Sequence, residues 1–133
     1  MQVQTIVVPT DFSEFADHAL TWALGMAADW KAKVVAVHAV HPISYLALSE
    51  SVYVPDLQKM EAEMMADAEK RLADFIAKKG PSPVVVETRV VMGEPMWEIC
   101  QSAIREHADL IRLVIPLDDQ GRAIEHGRHV ARE

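Results

Sequence analysis

The chain is short of the features that would announce a particular chemistry. It holds one cysteine, Cys100, so no internal disulfide can form, and a reducing compartment is expected. No apolar stretch approaches the ~20 residues needed to span a bilayer. A first strand begins almost at Met1, which leaves no room for a signal peptide, so a cytoplasmic location is expected. Positive charge is the minority. The 13 Lys and Arg against 20 Asp and Glu give a formal net charge of −7, which argues against nucleic acid or an acidic membrane as the main partner. The nucleophile elbow G-x-S-x-G, the Walker loop, G-x-G-x-x-G and H-E-x-x-H are all missing, so enzyme readings lose their usual carriers. Internal repeats and low-complexity segments are also lacking.

What is present is an ordinary globular composition, half apolar and a quarter charged, long enough at 133 residues for one domain with a real core. The organising stretch is Thr5-Ile6-Val7-Val8-Pro9-Thr10-Asp11-Phe12-Ser13-Glu14. Ile6 to Val8 is too short for a helix and rich in β-branched residues, as in a strand buried on both faces. Pro9 ends it. Asp11 and Ser13 have the chemistry of helix N-caps, and Glu14 stands three positions after Asp11 as in a capping box. Phe15, Ala19, Leu20, Ala23, Leu24 and Ala27 then keep helical spacing. A carboxylate and two hydroxyls thus fall between a strand end and a helix start, where ligands bind in open α/β sheets.

The alternation continues along the chain. Val34 to Val40 reads as a second buried strand, and Pro42 closes it. Residues 43 to 54 read as a long, irregular connection of the kind that often carries function. Pro55 suits a helix start, and Leu57, Met60, Met64, Ala68, Leu72, Phe75 and Ile76 keep helical spacing up to Gly80-Pro81. Val84 to Val91 is a third strand. Gly93-Glu94-Pro95 turns into a third helix with Met96, Ile99, Cys100, Ala103 and Ile104 assigned to its inner side, which makes Cys100 a buried, inert thiol. Asp109 to Ile115 is a fourth strand. This order predicts right-handed crossovers and a mainly parallel sheet with helices on both faces.

Four pieces in this order resemble the universal stress protein family. They are the Ile6 to Glu14 stretch, Val37-His38-Ala39, Val91-Met92-Gly93-Glu94-Pro95 with Ile99, and Ala108-Asp109-Leu110-Ile111. The resemblance runs from about residue 3 to 111. It implies a Rossmann-like fold with family strand order 3-2-1-4-5, a homodimer, and a role in surviving stress. Some members bind ATP and others lack the nucleotide motif. Strand 1 would lie between strands 2 and 4, so the crevice would open at Asp11.

The chain departs from the family after strand 4. Nucleotide-binding members carry G-x-x-G, nine residues, then G-[S/T]. Aligned on Asp109-Leu110-Ile111, the first two glycines would fall at Val114 and Leu117, but this chain reads Val114-Ile115-Pro116-Leu117. The third falls at Gly127, followed by Arg128 instead of a hydroxyl residue. A glycine loop holds phosphate because its backbone approaches closely and turns N–H groups inward. Val and Ile resist positive φ, and Pro116 has no N–H. The expectation is a Rossmann-like α/β domain over 1–133, with strands in order 3-2-1-4, no fifth strand, and an atypical tail from about 112 to 133. The tail is expected to be a mixed-charge helix that puts His126 and His129 on a solvated face.

The resemblance implies an adenine-nucleotide site, for ATP or AMP, at Pro9, Thr10, Asp11, Ala39, Gly93, Gly127 and Arg128, without a metal and without a required cofactor. His38 and His41 read as structural or solvated. A phospho-acceptor receiver domain is disfavoured, because strand 1 lacks the pair of acids and no lysine follows a fifth strand. The functional expectation is a non-catalytic binding or interaction module of stress response with a degraded phosphate site. The alternative is an adenine-nucleotide binder with weak ATP hydrolysis. An open strand 4 edge is expected to favour self-association.

Overall fold

The computed structural model describes residues 2–43, 56–114 and 119–120, and the backbone of 123–125 and 128–130. Strand β1 (Thr5–Pro9) leads to helix α1 (Glu14–Trp30), then β2 (Lys33–Val40), α2 (Leu57–Ala77), β3 (Val86–Met92), α3 (Pro95–Arg105) and β4 (Leu110–Ile111). The main sheet has the order β3-β2-β1-β4, and all its pairings are parallel. Register follows from burial on both faces. Ile6 pairs with Val34 on one side and Leu110 on the other, and a one-residue slip would reverse every side chain.

Two cores result. On the first face Ile6, Val8 and Val34 pack beneath Ala19, Leu20, Ala23 and Ala27 of α1, with Phe75 and Ile76 of α2 beside them. The run of alanines lets α1 sit close to the strands. On the second face Val7, Val35 and Val37 meet Val91, Ala103 and Ala108. Two helices therefore cover one face, while α3 lies on the other. At the far edge Lys33 Nζ lies 3.2 Å from Glu87 Oε2. That bond and charge hold the Glu87 carboxyl below its ordinary range against an opposing effect of burial, and the Arg89 guanidinium adds a lesser pull in the same direction.

Several expectations need correction. β4 is two residues long rather than seven, and its residues are half-buried or exposed. β3 starts at Val86, leaving Val85 exposed. The inner side of α3 is rotated from the expected one. Ser102 is its buried residue, Met96 and Ile104 are exposed at 60% and 66%, and Cys100 is exposed, not buried. Apolar residues occur on two sides of this helix; Ala103 packs on the second core as expected, and the buried Ser102 has its Oγ satisfied by Arg105 Nη2 at 3.0 Å. The tail carries strands where a helix was expected. β5 (Ala123–Glu125) and β6 (Arg128–Val130) form a separate antiparallel pair. Val, Ile and Thr-type residues gain on a pleated surface what they lose in a helix, and two residues between the strands is hairpin spacing. His126 and Gly127 lie outside the described residues.

Candidate functional site: the strand ends at the switch point

β1 is flanked by β2, reached through α1, and by β4, reached from the other face, so the chain changes direction there. Crevices form at the C-terminal strand ends of such switch points. Pro9 closes β1, and the next residue carries most of the local order. Thr10 is buried. Its N–H donates to the Val37 carbonyl at 2.8 Å, and its Oγ1 accepts the Phe12 N–H at 3.0 Å. Its carbonyl lies 2.8 Å from His38 Nδ1. A carbonyl only accepts, so this bond requires the proton on Nδ1.

That bonding turns Phe12 into the left-handed region, with φ of 65°, which is unusual for a bulky residue. Its ring is held on several sides. His38 lies 4.3 Å away between ring centroids, Phe75 of α2 5.8 Å away edge-on, and the Arg71 guanidinium 4.4 Å from the ring centroid. Cation–π and aromatic contacts of this kind contribute on the order of 0.5–1.5 kcal/mol each, enough to hold one strained residue. This cluster fills the α2 side of the strand ends. Sequence reading treated His38 as structural and did not single out Phe12, Arg71 or Phe75. The available signal was Arg71 and Phe75 at i, i+4 on one helix.

Asp11 is exposed, and its Oδ1 accepts the Ser13 N–H at 2.9 Å. Ser13, rather than Asp11, is the N-cap of α1, with its Oγ accepting from Ala16 N–H at 3.2 Å. At the end of β1, Pro9 is thus half-buried, Thr10 buried and Asp11 exposed. Ala39 pairs with Val91 near the end of β2 and is half-buried. Gly93 donates its N–H to the Val40 carbonyl at 3.0 Å. A Cβ at Gly93 would stand 2.6 Å from Glu98 Cγ, so the β3–α3 turn admits only glycine without a shift. Glu94 then caps α3, its two carboxylate oxygens accepting from Met96 and Trp97 N–H.

The β4 wall is built differently. Arg112 N–H donates to the Val7 carbonyl at 2.9 Å, and its guanidinium lies 5.4 Å from the Trp22 ring centroid. Its Nε is buried without a partner. Leu113 is exposed, and Val114 packs against the core under α1. The structure thus places Pro9, Thr10, Asp11, Ala39 and Gly93 along the C-terminal ends of β1, β2 and β3. Arg128 is in β6, paired in register with Glu125, and nothing described joins it to this group; Gly127 lies outside the described residues. Among the described residues no group of three or more His, Cys, Asp or Glu could hold a metal ion, and no helix is long and apolar enough to cross a membrane. A separate concavity of about 320 Å³ lies at the opposite end of the strands, lined by Lys31, Lys33 and Val84 among others.

A 3-2-1-4 parallel sheet with a capped strand–turn–helix at its switch point defines a Rossmann-like α/β fold. A sequence profile of the Universal stress protein family matches residues 2–113, and the chain belongs to that family. No curated protein matches it. Among solved structures it is similar to hypothetical protein MJ0577, at 21% identity, TM-score 0.68, and 85% and 75% coverage of this chain and that one. It is also similar to universal stress protein UspA from Lactobacillus plantarum, at 26% identity, TM-score 0.60, and 85% and 77% coverage. A universal stress protein in complex with cAMP matches at 24% identity, TM-score 0.54, and 84% and 71% coverage.

Proposed function

We propose that this chain is a non-catalytic binding module of stress response. In this reading the base-and-ribose side of an adenine-nucleotide site is kept at Pro9, Thr10, Asp11, Ala39 and Gly93, and the phosphate side is degraded. The observation that carries the reading is Val114. Where the family's phosphate loop would begin, this residue packs into the core beneath α1, and Ile115-Pro116-Leu117 follow it in the chain. A side chain anchored in the core and a proline two positions on cannot turn a run of N–H groups toward a ligand. Gly127 and Arg128 then have no phosphate loop to complete. That one neighbour of this fold was solved with cAMP supports an adenine nucleotide as the ligand class.

The expected behaviour is weak binding that barely distinguishes ATP, ADP and AMP. Each lost donor to a charged phosphate forfeits ~1.5–3 kcal/mol, more than the added phosphates recover from solvent-exposed charge. Titration calorimetry of the full chain with the three nucleotides, repeated on Asp11→Ala, tests it. Affinities within about threefold of one another, all reduced in Asp11→Ala, support the reading. ATP bound at least tenfold more tightly than AMP would instead favour the ATP-binding alternative with slow hydrolysis.

A further inference from the structure

Pro9, Thr10, Asp11, Ala39 and Gly93 bring one negative charge to the strand ends and no positive one. A phosphate seated there needs a cation from another element, and one stands close by. Phe12 follows Asp11 directly, and the Arg71 guanidinium lies 4.4 Å from its ring centroid. Arg71 belongs to α2, which packs on β2 and β3. Those are the strands whose ends carry Ala39 and lead to Gly93. The helix therefore borders the strand ends across which the ligand would lie.

The way Arg71 is held sets it apart. It is exposed, with Asp67 four residues before it and Asp74 three after, positions from which a helical carboxylate can pair with an arginine. Among the described residues no ion pair joins it to either. The guanidinium turns instead to the ring of Phe12. Arg89 and Arg105, by contrast, lie 2.8 and 4.0 Å from carboxylate oxygens of Glu106 and Glu98. The Phe12 ring is itself fixed by His38 and Phe75. A cation–π contact engages the charge of an arginine, and no described hydrogen bond uses the N–H donors of Arg71. An acceptor of opposite charge can take them.

We infer that Arg71 is the phosphate handle of this site, binding the phosphate nearest the ribose of an adenine nucleotide. The inference rests on the nucleotide reading above and adds to it a residue and a ligand form, the nucleoside monophosphate. Guanidinium and phosphate match in a bidentate pair. An arginine already ordered on an aromatic ring loses less freedom on binding than one in solvent. One guanidinium serves one phosphate. No second guanidinium or ammonium is described on the Phe12 ring, so the outer phosphates of ADP and ATP gain little, whereas adenosine leaves the handle unused. The step in affinity therefore falls between adenosine and AMP, not between AMP and ATP.

Titration calorimetry of the full chain with adenosine, AMP and ADP tests this, with far-UV circular dichroism to confirm folding. The wild type should bind AMP at least about fivefold more tightly than adenosine, and ADP within about threefold of AMP. Arg71→Leu should lower AMP to the affinity of adenosine and leave adenosine unchanged. Should that variant misfold, Arg71→Lys decides, since it keeps a cation for the ring and loses the bidentate fork; its preference for AMP should fall at least about twofold. Equal affinities for adenosine and AMP in the wild type would overturn the handle and leave the base-and-ribose reading in place. A preference for AMP that survives in Arg71→Leu would also overturn it, because the phosphate would then be held elsewhere. Failure of both adenosine and AMP to bind would sink the handle and the nucleotide reading together.

Discussion

Thr10 engages its N–H and carbonyl with β2 and its hydroxyl oxygen with the next turn of chain, and that hydroxyl is the part that a sequence pattern undervalues. The Oγ1 acceptor for Phe12 N–H is what allows the chain to enter the left-handed region just before α1. Thr10→Val keeps the shape and removes that acceptor. Leaving a half-buried donor without its partner costs ~1–3 kcal/mol, so urea denaturation should show a lower midpoint with an unchanged slope. Loss of less than about 0.5 kcal/mol would mean that water or another group takes over. At this scale the sequence was only partly legible. Asp11, Ser13 and Pro9 announce a turn through their side-chain chemistry. The aromatic and cationic contacts around Phe12 do not, because they join residues 12, 38, 71 and 75, which only the fold brings together.

The helices and inner strands were legible because burial imposes a period. α1 and α2 repeat apolar residues at helical spacing, and β1 and β2 are continuous apolar runs with Pro or Gly nearby. Where burial is weak the signal fails. The stretch 109–115 is mostly apolar, yet β4 pairs over two residues, ending at Val7–Ile111, and Pro9 has no N–H with which to carry the ladder on. The inward side of α3 was misplaced by the apolar residues Met96, Cys100 and Ile104 that face outward. The hairpin strands β5 and β6 alternate too briefly to be told from a mixed-charge helix. A test at this scale concerns the start of α1. Ser13→Ala removes the acceptor for Ala16 N–H and should lower stability by ~1 kcal/mol, as N-cap losses usually do, read from the thermal or urea midpoint. An unchanged midpoint would show that the preceding Asp11 turn suffices to hold the helix end.

For the molecule as a whole, the parallel sheet with helices on both faces followed from the alternation of elements, whereas the order 3-2-1-4 followed from the resemblance to the family. The junction after β1, from Pro9 to Ser13, was legible as a strand–turn–helix, while the end of β4 was obscure, since Val114 and Leu117 stand where the family's glycines would fall. The same asymmetry separates what holds the sheet from what decorates it. β2 pairs over the whole lengths of β3 and β1, whereas β4 is joined by a short ladder and one side chain. That side chain is Asp109, whose Oδ2 accepts both the Gln4 and the Thr5 N–H, at 2.9 and 3.1 Å.

A single carboxylate thus fastens the beginning of the first strand to β4, across a separation of more than a hundred residues. Such a clasp couples two events that would otherwise be independent: β4 cannot lift away without freeing the amides of Gln4 and Thr5. Those two hydrogens become reporters placed at the opposite end of the sequence. In native-state exchange they should trade with solvent at the rate of the β4 amides, and faster than Val7 or Val35. Asp109→Ala should accelerate them at least tenfold while leaving the β2 amides slow. If Gln4 and Thr5 stayed protected in that variant, the two ends of the chain would be opening separately.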